Sequence, residues 1–175
     1  MRTGFFLIVI LLVLGGCGTQ APIVEDLDGE VISMKLTSPA FEEGGEIPSL
    51  YTCDGEDINP ELNWAEVPKG TKSFALIVDD PDASAGTWVH WILVDIPASV
   101  RSIQQDRIVG KEIRNSFGRE SFGGPCPPSG VHRYYFKLYA LDVETLKGVN
   151  PKNVNSMIEE HKIGEAVLMG KYKRS

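Results

Sequence analysis

The sequence predicts a mainly β domain, and the observations that predict it are its composition, its short apolar runs and its single helical pattern. The chain has 175 residues, which suits one domain, and its 18 glycines and 11 prolines are typical of a fold with many turns. Hydrophobic residues make up 42% of the chain and charged residues 23%, an ordinary balance for a protein with a buried core. We therefore expect a β-sandwich or barrel with one helix near the C-terminus.

Three strands are predicted in the first half of the domain. Ile32, Met34 and Leu36 alternate with polar residues, which is the period of a half-buried strand. Residues 41–68 are rich in Gly, Pro, Asp and Asn, so they are expected to form long loops. Near-continuous apolar runs, which are typical of buried strands, follow at residues 73–79 and 90–96.

The second half of the domain is expected to contain two more strands and the helix. An aromatic run spans residues 134–142, and the loop before it, at residues 123–130, has too much Gly and Pro for a helix or a central strand. After Pro151, the side chains at positions 154, 157, 158 and 161 recur at helical spacing and predict an amphipathic helix. Residues 166–172 are predicted to form the last strand.

The N-terminal residues have the layout of a secretory signal peptide. Arg2 precedes an apolar run at residues 5–14, which at about 10 residues is far shorter than the roughly 20 that a membrane-spanning helix needs. The segment LGGC at residues 14–17 resembles the lipobox of prokaryotic lipoproteins, in which the cysteine receives a diacylglyceryl group. We therefore expect Cys17 to be lipidated.

These features divide the chain into three parts. Residues 1–16 are predicted to be the signal peptide, residues 17–30 the lipidated Cys17 and a polar tether, and residues 31–175 the folded domain. The acyl chains would hold the protein at the extracytoplasmic face of the cell membrane. The alternatives are an ordinary signal peptide, which leaves the protein secreted, or an uncleaved anchor, and in both cases Cys17 is incidental.

The charge and the motifs argue against several functional classes. A formal net charge of −7 gives no broad basic surface, so nucleic acid is not an expected partner. The sequence has no Walker-type phosphate loop, no G-x-G-x-x-G, no G-x-S-x-G nucleophile elbow and no H-E-x-x-H zinc motif. These absences disfavour the commonest hydrolases and nucleotide-dependent enzymes, and no cofactor is expected.

Two of the three histidines lie where a rigid site can be built. His90 follows the turn-rich connection that contains Asp80, and His132 follows the Pro/Gly loop. A carboxylate beside a histidine favours the charged imidazolium, which together with backbone N–H groups of a Gly-rich loop makes a cradle for phosphate or carboxylate. The alternative is two ordinary histidines in a turn-rich protein. His161, on the predicted helix, is expected to be structural.

Three sets of motifs follow one another along the chain. They read YTCDG…NPELNW at residues 51–64, DPDA…WVHW at residues 80–91, and GPCPP…VHRY at residues 124–134. In this order they resemble the signatures of the phosphatidylethanolamine-binding protein family, and most closely its prokaryotic Raf kinase inhibitor-like (YbhB/YbcL-like) branch. The chain departs from the pattern at Ser84, where the family usually has proline.

The resemblance implies both a fold and a ligand pocket. The fold is a large antiparallel sheet packed on a smaller sheet, with one or two short helices near the C-terminus. The pocket binds phosphate-type anions and phospholipid headgroups, and Trp88 either walls its mouth or packs in the core. Carried over to this sequence, the residues expected to line the pocket are Asp80, His90, Gly124, Pro125, His132 and Tyr134.

Most of these residues have a physical role in the expected site. His90 and His132 supply N–H donors, and Asp80 orients one of the two rings. Gly124 lets the backbone approach the anion because it has no Cβ. The Tyr134 hydroxyl donates one more hydrogen bond.

The cysteines leave one question open. If Cys17 is lipidated, Cys53 and Cys126 remain, and both lie in predicted loops of an extracytoplasmic protein. They either form a disulfide that fixes the pocket loop or stay as two free thiols, because sequence does not show the distance between them.

The expected function is therefore binding rather than catalysis. We interpret the chain as a lipoprotein whose partners are a phosphate-bearing small molecule or phospholipid headgroup and, through its anchor, the membrane. The alternative is a protein-level regulator such as a protease or kinase inhibitor, because the family includes such inhibitors. A hydrolase is less favoured. Asp80, His90 and His132 have the residue types of a metal site or an acid–base pair, but no activated nucleophile is visible.

Overall fold

The structure, a computed structural model, describes residues 34–174, which form two antiparallel sheets and one α-helix. A 3₁₀ helix spans Ser49–Tyr51, and the α-helix, α1, spans Val154–His161. The predicted signal peptide, the lipidated Cys17 and the tether, at residues 1–30, lie outside the described residues. The strands are β1 (Lys35–Thr37), β2 (Leu62–Ala65), β3 (Ser73–Asp80), β4 (Trp88–Pro97), β5 (Ser102–Ile103), β6 (Lys111–Glu112), β7 (His132–Leu141) and β8 (Lys162–Tyr172).

The expected architecture of a large sheet packed on a smaller one is confirmed. The larger sheet has the strand order β6-β4-β3-β7-β8, and the smaller sheet has the order β1-β2-β5. The two sheets share the main core, in which the ring of Trp64 on β2 packs 5.5 Å from the ring of Phe74 on β3. α1 covers the opposite face of the larger sheet with Val154 and Ile158. No helix among the described residues is long and apolar enough to cross a membrane.

The longer elements lie where their apolar patterns predict them. β3 is buried at every residue, and β4, β7 and α1 overlap the predicted segments. β8 begins at Lys162 rather than at residue 166, because the backbone is already extended at Lys162, the residue directly after α1. The prediction that residues 41–68 are entirely loop is wrong, since β2 and the 3₁₀ helix lie there. β2, β5 and β6 have only two to four residues each, too few to show a period.

One end of the larger sheet carries most of the predicted site. β3 ends there at Asp80, and the antiparallel strands β4 and β7 begin there, with Asp80 paired to Trp88. Alternate residues of a strand face opposite sides of the sheet. His132 and Tyr134 are therefore buried on the side of the main core, while Arg133 between them is exposed on the other side.

Candidate functional site

A cavity of about 260 Å³ opens at this end of the larger sheet. Four of the residues that the sequence predicts for the site line it together, namely Asp80, His90, His132 and Tyr134. They come from three adjacent strands, and all four are at least nine-tenths buried. The fold thus brings together side chains that are separated by up to 54 positions of sequence, from residue 80 to residue 134.

Asp80 and His132 form a buried pair in this cavity. Nδ1 of His132 lies 2.7 Å from Oδ2 of Asp80 and donates a hydrogen bond to it. The other oxygen of Asp80 accepts the backbone N–H of Asp82 at 2.8 Å, which holds the carboxylate at the end of β3. The carboxylate thereby fixes the orientation of the imidazole, as the sequence predicts for one of the two rings.

His90 is held by backbone rather than by a carboxylate. Its Nδ1 donates to the carbonyl oxygen of Gly123 at 2.6 Å, and the N–H of Gly123 donates back to the carbonyl of His90 at 3.2 Å. Burial lowers the pKa of His90 from its ordinary value, because an imidazolium loses its hydration there. The two histidines of the cavity therefore have different electrostatic surroundings.

The Tyr134 hydroxyl is a hydrogen-bond donor with no partner. It lies near the Asp80 carboxylate and the Cys126 backbone, yet it makes no hydrogen bond of good geometry with either. Burial, together with the charge of Asp80, raises the pKa of Tyr134, so the hydroxyl keeps its hydrogen. Among the described residues, the other buried side-chain atoms without a hydrogen bond are Nε1 of Trp64 and Oδ1 of Asp79, and neither residue lines the cavity.

Aromatic and proline side chains form the walls of the cavity. Trp88, for which the sequence left two roles open, lines the cavity and packs edge-on against Phe117, with ring centroids 5.4 Å apart. Phe117 also packs against the ring of His90 at 5.2 Å. Sequence reasoning missed Phe117, although an aromatic residue within the turn-rich segment NSFG was a usable signal. Pro127 and Pro128 complete the rigid wall.

Asn115 is a second residue that sequence reasoning missed. Its side-chain amide donates to the carbonyl oxygens of His90 and Ser121, both at 2.8 Å. Its side-chain oxygen accepts the backbone N–H of Phe117 at 3.0 Å. One buried amide therefore ties the loop that carries Phe117 to the strand that carries His90. No sequence motif marks this role.

A disulfide between Cys53 and Cys126 closes the loop on one side of the cavity. The two Cα atoms are 5.4 Å apart, and the backbone N–H of Cys53 donates to the carbonyl of Pro125 at 3.1 Å. Cys126 itself lines the cavity. The bond joins the chain after the 3₁₀ helix to the Pro/Gly loop, and such a crosslink reduces the conformational freedom of a site.

Gly124 and Pro125 do not line the cavity in this structure. The N–H of Gly124, which the sequence suggested for the anion, donates instead to Oδ1 of Asp57 at 2.6 Å. A Cβ at position 124 would collide with the carbonyl oxygen of Tyr51 and would lie 2.8 Å from Cα of Thr52. The glycine is needed because two loops approach each other closely, and this differs from the reason given by the sequence argument.

The cavity contains no fixed positive charge. None of its described lining residues is Lys or Arg. Arg133, which follows His132 directly, is bound on the other side of the sheet, where its Nε and Nη2 donate to Asp82 at 2.8 and 2.6 Å. Positive charge in the cavity therefore has to come from protonation of an imidazole.

Comparison with known proteins relates this chain to one family. The sequence model of the family described as phosphatidylethanolamine-binding protein matches residues 37–173. A UPF0098 protein from Aquifex aeolicus is 46% identical over 152 residues, which cover 81% of this chain and 89% of that protein. A UPF0098 protein from Methanothermobacter thermautotrophicus is 44% identical over 150 residues, which cover 81% and 99% respectively.

Solved structures share the fold. A phosphatidylethanolamine-binding protein homolog from Chlamydia trachomatis has a TM-score of 0.78 and 37% identity, and the match covers 82% of this chain and 99% of that one. Escherichia coli YbcL, described as a member of the mammalian PEBP family, has a TM-score of 0.76 and 33% identity over the same shares. The resemblance drawn from the three sets of motifs is confirmed, and the chain belongs to the phosphatidylethanolamine-binding protein family.

Proposed function

We propose that this protein is an extracytoplasmic lipoprotein that binds a phosphate-type anion or a phospholipid headgroup in the cavity. The observation that carries the proposal is the buried Tyr134 hydroxyl, which has no hydrogen-bond partner although it lies among three other polar side chains. A buried donor without a partner costs about 1–3 kcal/mol, and a ligand oxygen would remove this cost.

The histidines support an anion as the ligand. With Nδ1 of each ring engaged, Nε2 is the nitrogen left for a ligand, and a protonated ring donates from it. Asp80 opposes an anion by its charge, but its hydrogen bond from His132 offsets that charge locally. The apolar walls of the cavity strengthen each of these hydrogen bonds because they exclude water.

The location is proposed from the N-terminal sequence. The LGGC segment that ends at Cys17 would anchor the mature chain to the membrane and place the cavity within reach of lipid headgroups. The Cys53–Cys126 disulfide supports an oxidising compartment outside the cytoplasm. Cys17→Ser should move the protein from the membrane fraction to the soluble fraction if this proposal holds. If Cys17 is not lipidated, the protein is secreted.

One observation favours the alternative of a regulator that binds a partner protein. Val131 and Phe117 are exposed large hydrophobic side chains, at 57% and 42%, and each adjoins a cavity histidine. Protein interfaces use such side chains. Inhibition of a protease or kinase by the purified protein would favour this alternative over simple anion binding.

A metal-dependent hydrolase is not proposed. Asp80 is hydrogen-bonded to His132, so it holds the ring rather than standing beside it as an independent ligand. Within residues 34–174, no group of three or more His, Cys, Asp or Glu side chains is placed to hold a metal ion.

Titration calorimetry tests the proposed function. Full-length protein in detergent micelles should bind phosphoethanolamine saturably and should not bind ethanolamine, which lacks the phosphate. His132→Ala should weaken binding at least tenfold, because hydrogen bonds to charged groups contribute about 1.5–3 kcal/mol. His161→Ala is the matched control, since His161 also donates to an aspartate, Asp142, but does not line the cavity. If neither phosphoethanolamine nor inorganic phosphate binds, the proposal is wrong.

A further inference from the structure

Each histidine of the cavity has one ring nitrogen already engaged. Nδ1 of His90 donates to the Gly123 carbonyl oxygen and Nδ1 of His132 to the Asp80 carboxylate, at 2.6 and 2.7 Å. A carbonyl oxygen and an ionised carboxylate only accept hydrogen bonds, so both Nδ1 atoms carry hydrogen. Nε2 of each ring makes no hydrogen bond to the described residues. In a neutral ring this nitrogen is an acceptor, and only a protonated ring donates from it.

The two rings have different neighbours. His132 contacts the carboxylate of Asp80, whereas His90 contacts a neutral carbonyl. Burial lowers the pKa of His90, which keeps its ring neutral at about pH 7. The other ionised groups near the rings have partners of their own, namely Asp79 with Lys137 and Asp82 with Arg133.

We propose that the cavity selects a phosphate monoester in its singly protonated form, with His132 and Tyr134 donating to the anionic oxygens and neutral His90 accepting from the P–OH group. This inference rests on the proposed anion-binding function and specifies its ligand class. Two donors and one acceptor match an ion that has both bare oxygens and one hydroxyl. No Lys or Arg lines the described cavity, so no fixed cation is present to favour a dianion.

Anions without a P–OH group cannot donate a hydrogen bond to Nε2 of His90. A sulfate monoester has the same size and the same single charge as the protonated phosphate monoester, but it has no hydrogen to donate. It would leave Nε2 of His90, a residue only 3% exposed, without a donor in the complex. We expect a loss of at least about tenfold in affinity, since a buried acceptor left unpaired is costly. A phosphate diester lacks the hydrogen for the same reason.

The test compares methyl phosphate with methyl sulfate by titration calorimetry. Full-length protein is used in detergent micelles at about pH 6.5, where the lowered pKa of His90 leaves its ring mainly neutral and a phosphate monoester, with a second pKa of about 6, is still partly protonated. Affinities are compared for the singly protonated phosphate, which has the same single charge as the sulfate and differs from it in the proton alone. Methyl phosphate should bind at least about tenfold more tightly than methyl sulfate or dimethyl phosphate.

A variant tests whether His90 causes the preference for methyl phosphate over methyl sulfate. His90→Asn offers a side-chain N–H to the Gly123 carbonyl oxygen but removes the Nε2 acceptor. It should lower the affinity for methyl phosphate and should not lower the affinity for methyl sulfate, so the tenfold preference should disappear. His161→Asn is the control, and it should preserve the tenfold preference. If circular dichroism shows that His90→Asn does not fold, the preference of the unmodified protein decides the inference.

Two results would overturn the inference, and they have different meanings. Equal affinities for methyl phosphate and methyl sulfate would contradict the assigned roles of the two rings and leave anion binding in place. Failure of methyl phosphate, methyl sulfate and inorganic phosphate to bind at all would overturn the proposed function, and the inference with it.

Discussion

The last two residues of β3 are both aspartates, and they lie on opposite faces of the larger sheet with different ion-pair partners. On the outer face, Asp79 binds Lys137 at 2.6 Å. On the inner face, Asp80 binds His132 at 2.7 Å. A lysine keeps its charge throughout the physiological pH range, whereas a histidine gains or loses its charge within that range. Adjacent carboxylates of the same strand are therefore suited to different tasks.

Asp82, two residues beyond the strand, strengthens this contrast. It forms a forked pair with Arg133, which lies on β7 next to His132. In each outer pair a fixed positive charge neutralises the aspartate, and neither pair lines the cavity. The inner pair lines the cavity, and Nε2 of His132 is not engaged by Asp80. The partner on β7, rather than the aspartate itself, therefore distinguishes the carboxylates that pair with a fixed charge from the one that pairs with a titratable ring beside the cavity.

The largest expected effect comes from neutralising the inner carboxylate. Asp80→Asn should weaken phosphoethanolamine binding at least tenfold, because it removes the carboxylate that holds the His132 ring, and hydrogen bonds to charged groups contribute about 1.5–3 kcal/mol. Calorimetry at about pH 6.5, near the ordinary pKa of histidine, is the measurement. Asp82→Asn is the outer control and should change the affinity by less than about twofold, as expected for an exposed ion pair away from the ligand. Equal losses of phosphoethanolamine affinity in Asp80→Asn and Asp82→Asn would show that the two faces of the sheet do not differ in this respect.

A smaller effect on binding is expected from Tyr134→Phe. Loss of one neutral hydrogen bond should weaken anion binding about fivefold, which corresponds to about 1 kcal/mol. The free energy of unfolding in urea should not fall, because the hydroxyl has no hydrogen bond to lose in the unliganded protein. A loss of stability without a loss of affinity would show that Tyr134 serves the core rather than the cavity.

The pH dependence of stability should reveal the neutral ring of the inner face. The ordinary pKa of a histidine is 6.5, and burial lowers the pKa of His90 in the folded protein. As the pH falls, His90 is therefore protonated in the unfolded chain before it is protonated in the folded protein. The contribution of neutral His90 is complete above pH 6.5 and is lost as the pH falls below it. Urea unfolding at about pH 7.5 and about pH 5.5 should show the loss, and His90→Asn should reduce it. If His90→Asn shows the same difference in the free energy of unfolding between the two pH values, this account is wrong.

The smallest effect is expected from the outer pair. The hydrogen bonds from Arg133 lower the pKa of Asp82 from 3.8 to about 2. Its contribution to stability is therefore complete above pH 3.8 and is lost between pH 3.8 and about 2. Arg133→Met should change the free energy of unfolding only slightly at neutral pH, because the pair is largely exposed. Anion affinity should not change, and a change would show that the outer face communicates with the cavity.

The features that sequence reasoning located are marked by local patterns in the chain. β3 and β4 were predicted because continuous apolar runs report burial on both faces of a sheet. Asp80, His90, His132 and Tyr134 were located by motifs at the ends of such strands, and the structure places them around one cavity.

The features that sequence reasoning missed depend on contacts between distant segments. Phe117 and Asn115 come from a loop whose position is set by hydrogen bonds to the strand of His90, and no local pattern encodes that contact. Gly124 was associated with the anion, but its close neighbours are Tyr51 and Thr52, which lie more than 70 positions earlier in the sequence. Local periodicity reports how a segment is buried but not which segment covers it.

The most direct test of the central claim is to follow the imidazole NMR signals of all three histidines while inorganic phosphate is added to the full-length protein in detergent micelles. The account predicts that the signals of His90 and His132 shift together and saturate at one phosphate concentration. His161, which pairs with Asp142 away from the cavity, should not shift. If neither cavity histidine responds, or if His161 responds equally, the cavity is not an anion-binding site and the contrast between the two faces has no functional meaning.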